Sequence, residues 1–189
     1  MHGLVATLVL YGMLAGAEPA AAAPPACLHD GSGFLTARLR GDVEVELEWR
    51  EPGLSCTGMP RPDGLGMRLR FSGKLPDGSD LAIVFAPPVL QEGASARAVP
   101  VNVTVLHESS GMIYGTRGEQ RCMLDEVTQH RLPDAAADQR TWQVEARGFC
   151  TEPARALDDS GVILMTRFDF RGQVILRREE ARDSTAPDS

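Results

Sequence analysis

Thiols and imidazoles are the side chains of this sequence best suited to metal binding or nucleophilic chemistry: Cys27, Cys56, Cys122 and Cys150, with His29, His107 and His130. Their spacing decides what they do. Structural zinc sites draw two ligands from one short turn, and no two of these cysteines stand two residues apart. Neither do the histidines form an H-x-H, H-x-x-H or H-E-x-x-H pair, the spacings that bring imidazoles together on one strand or helix. An even number of cysteines in a chain that carries an export signal reads instead as two disulfides, with three possible connectivities. The favoured pairing is Cys27 with Cys56 and Cys122 with Cys150. It closes loops of nearly equal length, each adding roughly 3 to 4 kcal/mol by restricting the unfolded chain. The histidines remain as candidates for a metal-dependent enzyme or hydrolase. Asp30 beside His29 and Asp125 just upstream of His130 are the carboxylates placed to orient an imidazole.

Other chemistries lack their equipment. The sequence contains no G-x-S-x-G nucleophile elbow, no S-x-x-K, no phosphate-cradling G-x-x-x-x-G-K-[ST] and no G-x-G-x-x-G. Asp77-Gly78-Ser79-Asp80 and Asp158-Asp159-Ser160-Gly161 are oxygen-rich, but neither fits the calcium loop of an EF-hand, and both read as turns in which Asp and Ser bind backbone N–H groups. Asn102-Val103-Thr104 spells a glycosylation sequon inside an expected strand. Glu44, Glu46 and Glu48 form an acidic row that Arg68 and Arg70 could neutralise if their strands pair. The aromatic platform a glycosidase needs beside two carboxylates is thin, with two Trp and two Tyr in the chain. No cofactor is expected.

The elements that must carry these residues alternate with period two. Val43, Val45, Leu47 and Trp49 alternate with Glu44, Glu46, Glu48 and Arg50. Met67, Leu69 and Phe71 alternate with Arg68 and Arg70. The turn Pro76-Asp77-Gly78-Ser79 then leads into the apolar run Leu81 to Phe85, a hairpin signal. Val99 to Val105 and Trp142 to Arg147 alternate in the same way, with Pro100 marking an edge or a strand start. Further strands are expected over Phe34 to Arg40, Met112 to Thr116, Glu119 to His130 and Val162 to Leu176, the last bending or breaking near Gly172. No stretch carries an apolar stripe at helical spacing between good caps. The expected fold is all-β, an antiparallel β-sandwich or flattened barrel of eight to ten strands with two disulfides. Arg50 to Gly66 and Thr151 to Gly161 are the long loops it would present. A loose echo links Trp49…Cys56-Thr57…Pro60 with Trp142…Cys150-Thr151…Pro153, either two similar strand-loop-strand units or coincidence in a Gly- and Pro-rich β chain.

Leu4 to Ala17 is an apolar run of about 14 residues, the length of a signal-peptide core and too short to span a bilayer. Ala15-Gly16-Ala17 and the tract Ala20 to Ala23 offer cleavage sites, although Met1-His2-Gly3 lacks the usual positive charge. Cysteine does not follow Leu14-Ala15-Gly16, so a lipid anchor is disfavoured. Residues 1–23 therefore read as an export signal and linker, 24–178 as a single β domain and 179–189 as a mobile polar tail. No later stretch is apolar enough to be a transmembrane helix. A net charge of -7 argues against nucleic-acid binding. Only Lys74 is lysine among the 19 basic residues, a bias found in GC-rich bacterial genes. These features together predict an exported protein, periplasmic or secreted, that is non-enzymatic and binds another envelope protein or a small ligand through its loops. The alternative is a hydrolase or metal-dependent enzyme built on His29, His107 or His130.

Overall fold

The computed structural model describes residues 27–117, 121–133 and 136–177, so the export signal, the cleavage sites and the tail lie outside the described residues. Twelve strands and no helix make up the described chain. In order they are β1 (Phe34–Gly41), β2 (Val45–Arg50), β3 (Ser55–Pro60), β4 (Met67–Lys74), β5 (Asp80–Ala86) and β6 (Ala96–Pro100). Next come β7 (Asn102–His107), β8 (Met112–Gly115), β9 (Cys122–Leu132), β10 (Gln139–Cys150), β11 (Ala154–Ala156) and β12 (Val162–Arg177). Every pairing among them is antiparallel.

The strands follow one hydrogen-bonded path, β3-β4-β5-β7-β8-β11-β12-β10-β9-β6, with β1 and β2 branching from β12. The sheet does not close, which removes the barrel alternative. It folds over on itself instead: β12 is the hinge element, pairing with β11 at its start, with β10 along its second half and with β1 on its other edge. Phe71 and Phe85, from β4 and β5, meet Phe168 and Phe170 of β12 with ring centroids 4.6 to 5.1 Å apart, which fixes the two layers face to face. A second tie crosses the layers where the buried Trp49 indole of β2 donates to the Lys74 carbonyl at 2.8 Å.

The alternation read from sequence is the alternation that buries the core. Leu35, Ala37 and Leu39 point inward from β1, and Leu69 and Phe71 from β4, while their polar neighbours face water. The hairpin at residues 67–85 is present, with Lys74 opposite Asp80 and the turn closed by Leu75 and Ser79. Pro100 ends β6, an edge strand, where its missing N–H costs no ladder bond.

Several expectations are corrected. The strand count is twelve, because β3 and β11 occupy parts of the segments read as loops, and because the run Val99 to Val105 is split. At Val101 the chain leaves β9, the neighbour of β6, and joins β5 as β7; the buried Val101 still donates to Cys122 O at 3.0 Å. Gly172 does not break β12. A side chain there would press on the Phe71 ring and the Cys56 sulfur, so glycine serves close packing of the layers. β2 pairs with β1 and not with β4, so Glu46 meets Arg40 and Arg167 while Arg70 pairs with Glu108. The Trp/Cys echo has no counterpart in the fold: Trp49 and Cys56 lie on different strands, whereas Trp142 and Cys150 share β10.

Two bulges shape one face. Thr166 is an extra residue in β12 opposite β1, and Asp125 is an extra residue in β9 opposite β10. Each switches the inward parity of its strand, from Ile163 and Met165 to Phe168 and Phe170, and from Leu124 to Val127.

Candidate functional site

Both disulfides have the expected pairing, Cys27–Cys56 and Cys122–Cys150, and no described cysteine is free. Cys122 and Cys150 face each other in register across β9 and β10. Cys27 precedes the first strand, so its bond to β3 ties an unpaired segment to the sheet. Two disulfides point to an oxidising location outside the cytoplasm.

The three histidines are distributed over the N-terminal segment (His29), the end of β7 (His107) and the exposed face of β9 (His130). His107 Nδ1 lies 2.9 Å from Ser110 Oγ, within its own turn. Among the described residues, no three His, Cys, Asp or Glu side chains lie close enough together to hold a metal ion. The two oxygen-rich loops are occupied with themselves. Asp77 Oδ1 accepts from Ser79 N and Oγ at 2.9 and 2.6 Å, and Asp158 Oδ1 accepts from Ser160 N and Oγ at 3.0 and 2.6 Å. Those bonds hold both carboxyls below the usual aspartate range.

Among the described residues, concavities offer further candidate sites. The first, about 460 Å³, is a trough on the bulged outer face of β2, β1, β12, β10 and β9. Glu46, Glu48, Asp125, Asp169, Arg147 and Arg167 line it. Glu46 pairs with Arg38, Arg40 and Arg167, and Arg147 pairs with Glu126 at 2.8 Å, while Glu48, Asp125 and Asp169 make no ion pair among the described residues. Asp169 is also half-buried. Partial burial, then the nearby Glu145 carboxylate, push its pKa up, against the pull of Arg147 and Arg171.

The second concavity, about 580 Å³, opens between the layers at one end of the molecule. Its floor is apolar, from Met67 at the start of β4, Leu90 in the β5–β6 crossover and Leu176 near the end of β12. Leu65 and Val89 stand on its lip, 65% and 67% exposed, the two most exposed large apolar side chains among the described residues. Arg61, Glu92, Arg140 and Arg177 supply its polar rim.

Backbone and side-chain bonds hold this groove in shape. Residues 61–66 form a tight loop in which Arg61 N donates to Gly66 O at 2.9 Å and the Asp63 carboxylate accepts from Leu65 N at 3.1 Å. Asp63 also pairs with Arg61, which lowers its pKa. Leu90 N donates to Leu65 O at 3.3 Å, joining this loop to the crossover. From the other side, the buried Gln129 accepts from Gly93 N at 3.1 Å and donates to the carbonyls of Gln91 and Ala94 at 2.9 and 2.8 Å. Glu92 takes two bonds from Arg140, at 2.6 and 2.9 Å, and one from the Trp142 indole at 2.8 Å. Arg140, followed by Trp142, holds the Glu92 carboxyl below the ordinary glutamate range despite some burial. Arg177 makes no ion pair among the described residues.

Sequence reasoning anticipated one side of this groove, the segment Arg50 to Gly66, and missed the crossover at 87–95 and the end of β12 as partners. The exposed Leu65 and Val89, each set among Pro and Gly, were the available signal. An all-β protein with an open, folded-over antiparallel sheet and two disulfides is the class this architecture defines. The chain matches no known protein family, no curated protein and no solved structure.

Proposed function

We propose that this is an exported, non-enzymatic binding protein that captures a small ligand or another envelope component at the loops closing one end of its sandwich. The observation that carries the reading is the groove of about 580 Å³ between the 61–66 loop and the 87–95 crossover. Binding sites are typically concave, apolar-floored and rimmed by a few fixed polar groups, in this size range. The loops around it are held by Gln129, Glu92 and Arg140, so little ordering entropy is lost when a ligand enters. The lip residues Leu65 and Val89 leave apolar surface exposed beside that floor. Export is supported by the apolar run Leu4 to Ala17 and by the paired cysteines.

The test is a native intact-mass spectrum of the protein recovered from its own host's envelope, beside a denatured, non-reduced spectrum. An added mass that leaves on denaturation, or a partner captured by cross-linkers placed at residues 65 and 89, is the expected result. A bare chain that cross-links to nothing at those positions overturns the reading.

A further inference from the structure

Building on that reading, we infer that the groove takes a single-chain anionic amphiphile, with its hydrocarbon chain on the apolar floor and its carboxylate at Arg177. Two features of the groove carry this. The floor and lip offer apolar side chains, Pro60, Leu65, Met67, Val89, Leu90 and Leu176, beside the polar Arg61, Gln91, Glu92, Arg140 and Arg177. A ligand gains there by burying hydrocarbon, at about 25 cal/mol per Å² of apolar surface. A polar ligand would lose its hydration against that floor without replacement.

The charges at the rim then choose the headgroup. Arg61 is answered by Asp63, and Arg140 by Glu92 through two parallel bonds, so both guanidinium groups are already engaged. Arg177 lines the same groove with no counter-charge among the described residues. The described residues of the rim thus carry one positive charge in excess on a protein whose net charge is -7. A cationic head would meet an unanswered Arg177; a carboxylate would pair with it and exchange its water for guanidinium N–H donors.

Other features carry less. The trough around Asp169 sets four carboxylates against two guanidinium groups and does not favour an anionic head, and the exposed Ile113 and Leu157 line none of the concavities described.

The experiment titrates the full oxidised chain by calorimetry with decanoate, decanol and decyltrimethylammonium, each below its aggregation threshold. Decanoate should bind saturably at one site, decanol more weakly, and the cation weakest. Arg177→Ala should weaken decanoate about five- to tenfold and leave decanol unchanged. Val89→Asp, at an exposed position that does not support the fold, should remove binding of both, with thermal unfolding unchanged as the folding control. Equal affinities for all three heads, or decanoate binding insensitive to both substitutions, would overturn the inference. So would the absence of decanoate binding. If that absence accompanies host-derived protein carrying some other releasable ligand or cross-linked partner, the amphiphile falls and the binding reading stands; if the host-derived protein is also bare, both fall.

Discussion

Two segments without strand pairing are pinned to the sheet by different means: the N-terminal strap, residues 27–33, and the crossover, residues 87–95. The strap is held at the Glu51 carboxylate, which accepts from Cys27 N, Gly33 N and Leu28 N at 2.7, 2.9 and 3.3 Å. A side chain at Gly33 would collide with Cys27 and Glu51, so the strap closes on its anchor only because that residue is glycine. The Cys27–Cys56 bond then makes the attachment covalent. The crossover is held by Gln129 at three backbone groups, with Glu92 bound to Arg140 and Trp142 as a second point and Leu90 N donating to Leu65 O as a third. One carboxylate accepting three N–H groups and one amide making three bonds solve the same problem, since unpaired buried backbone is costly. The difference lies in what each segment covers. The strap buries Cys27 and Leu28 against the core, where a covalent tie suits it; the crossover forms one wall of an open groove, which side-chain hydrogen bonds hold in shape without closing it over.

Removing the covalent tie should give the largest effect. Cys27→Ser with Cys56→Ser should cost roughly 3 to 4 kcal/mol. The matched Cys122→Ser and Cys150→Ser pair closes a loop of almost the same length and should cost about as much in chain entropy. The two should separate in hydrogen exchange: the first exposes amides 27–33, while the second leaves β9 and β10 paired. Equal protection of the strap in both variants would break the comparison.

Gln129→Ala should come next, at about 2 to 3 kcal/mol, because it strands three backbone groups while leaving the disulfides intact. Denaturant unfolding gives the size, and faster exchange at residues 91–94 gives the place. Glu51→Ala should cost less, about 1 to 2 kcal/mol, since Cys27–Cys56 still tethers the strap. In the chain already lacking that disulfide, the same substitution should cost more, and a double-mutant cycle measures the coupling. Additive effects would show that the two anchors act separately.

The smallest expected effect is a pH dependence confined to the crossover. Glu92 has a lowered pKa in the folded protein because of Arg140. A group whose folded pKa is depressed contributes its full stability above the ordinary glutamate pKa and loses it as pH falls through the lower, folded value. Glu92→Gln should therefore reduce the melting temperature slightly at neutral pH, and that difference should vanish in acid. The strap should show no such change in Glu92→Gln, which amide exchange at residues 27–33 would reveal.

Legibility in the sequence varied with how strictly each element alternates. β1, β2 and β4, and β10 from Val144 onward, bury every second residue against one core, so their polar and apolar letters record the two faces. β3 does not: within Ser55-Cys56-Thr57-Gly58-Met59-Pro60 only Cys56 is buried, because this edge strand contacts the core at one point. β11 has three residues, too few for a period. The bulges at Asp125 and Thr166 invert the alternation midway, which neither residue type announces. For the groove, the exposed Leu65 and Val89 could be seen in the sequence only as apolar letters between turn residues. Their convergence depends on a bond between loops 25 residues apart, from Leu90 N to Leu65 O.

By itself the sequence determined the all-β class, the antiparallel hairpin at 67–85 and the absence of familiar catalytic motifs, and it favoured, among three connectivities, the cysteine pairing the fold adopts. These rest on local periodicity, on turn chemistry and on the nearly equal loops which that pairing closes. Only the tertiary structure decided that the sheet stays open and folds about β12, that the chain changes partner at Val101, and that Arg177, Val89 and Leu65 share one groove. Those outcomes depend on which distant faces bury best against each other, a sum over many weak contacts that no single stretch of residues encodes.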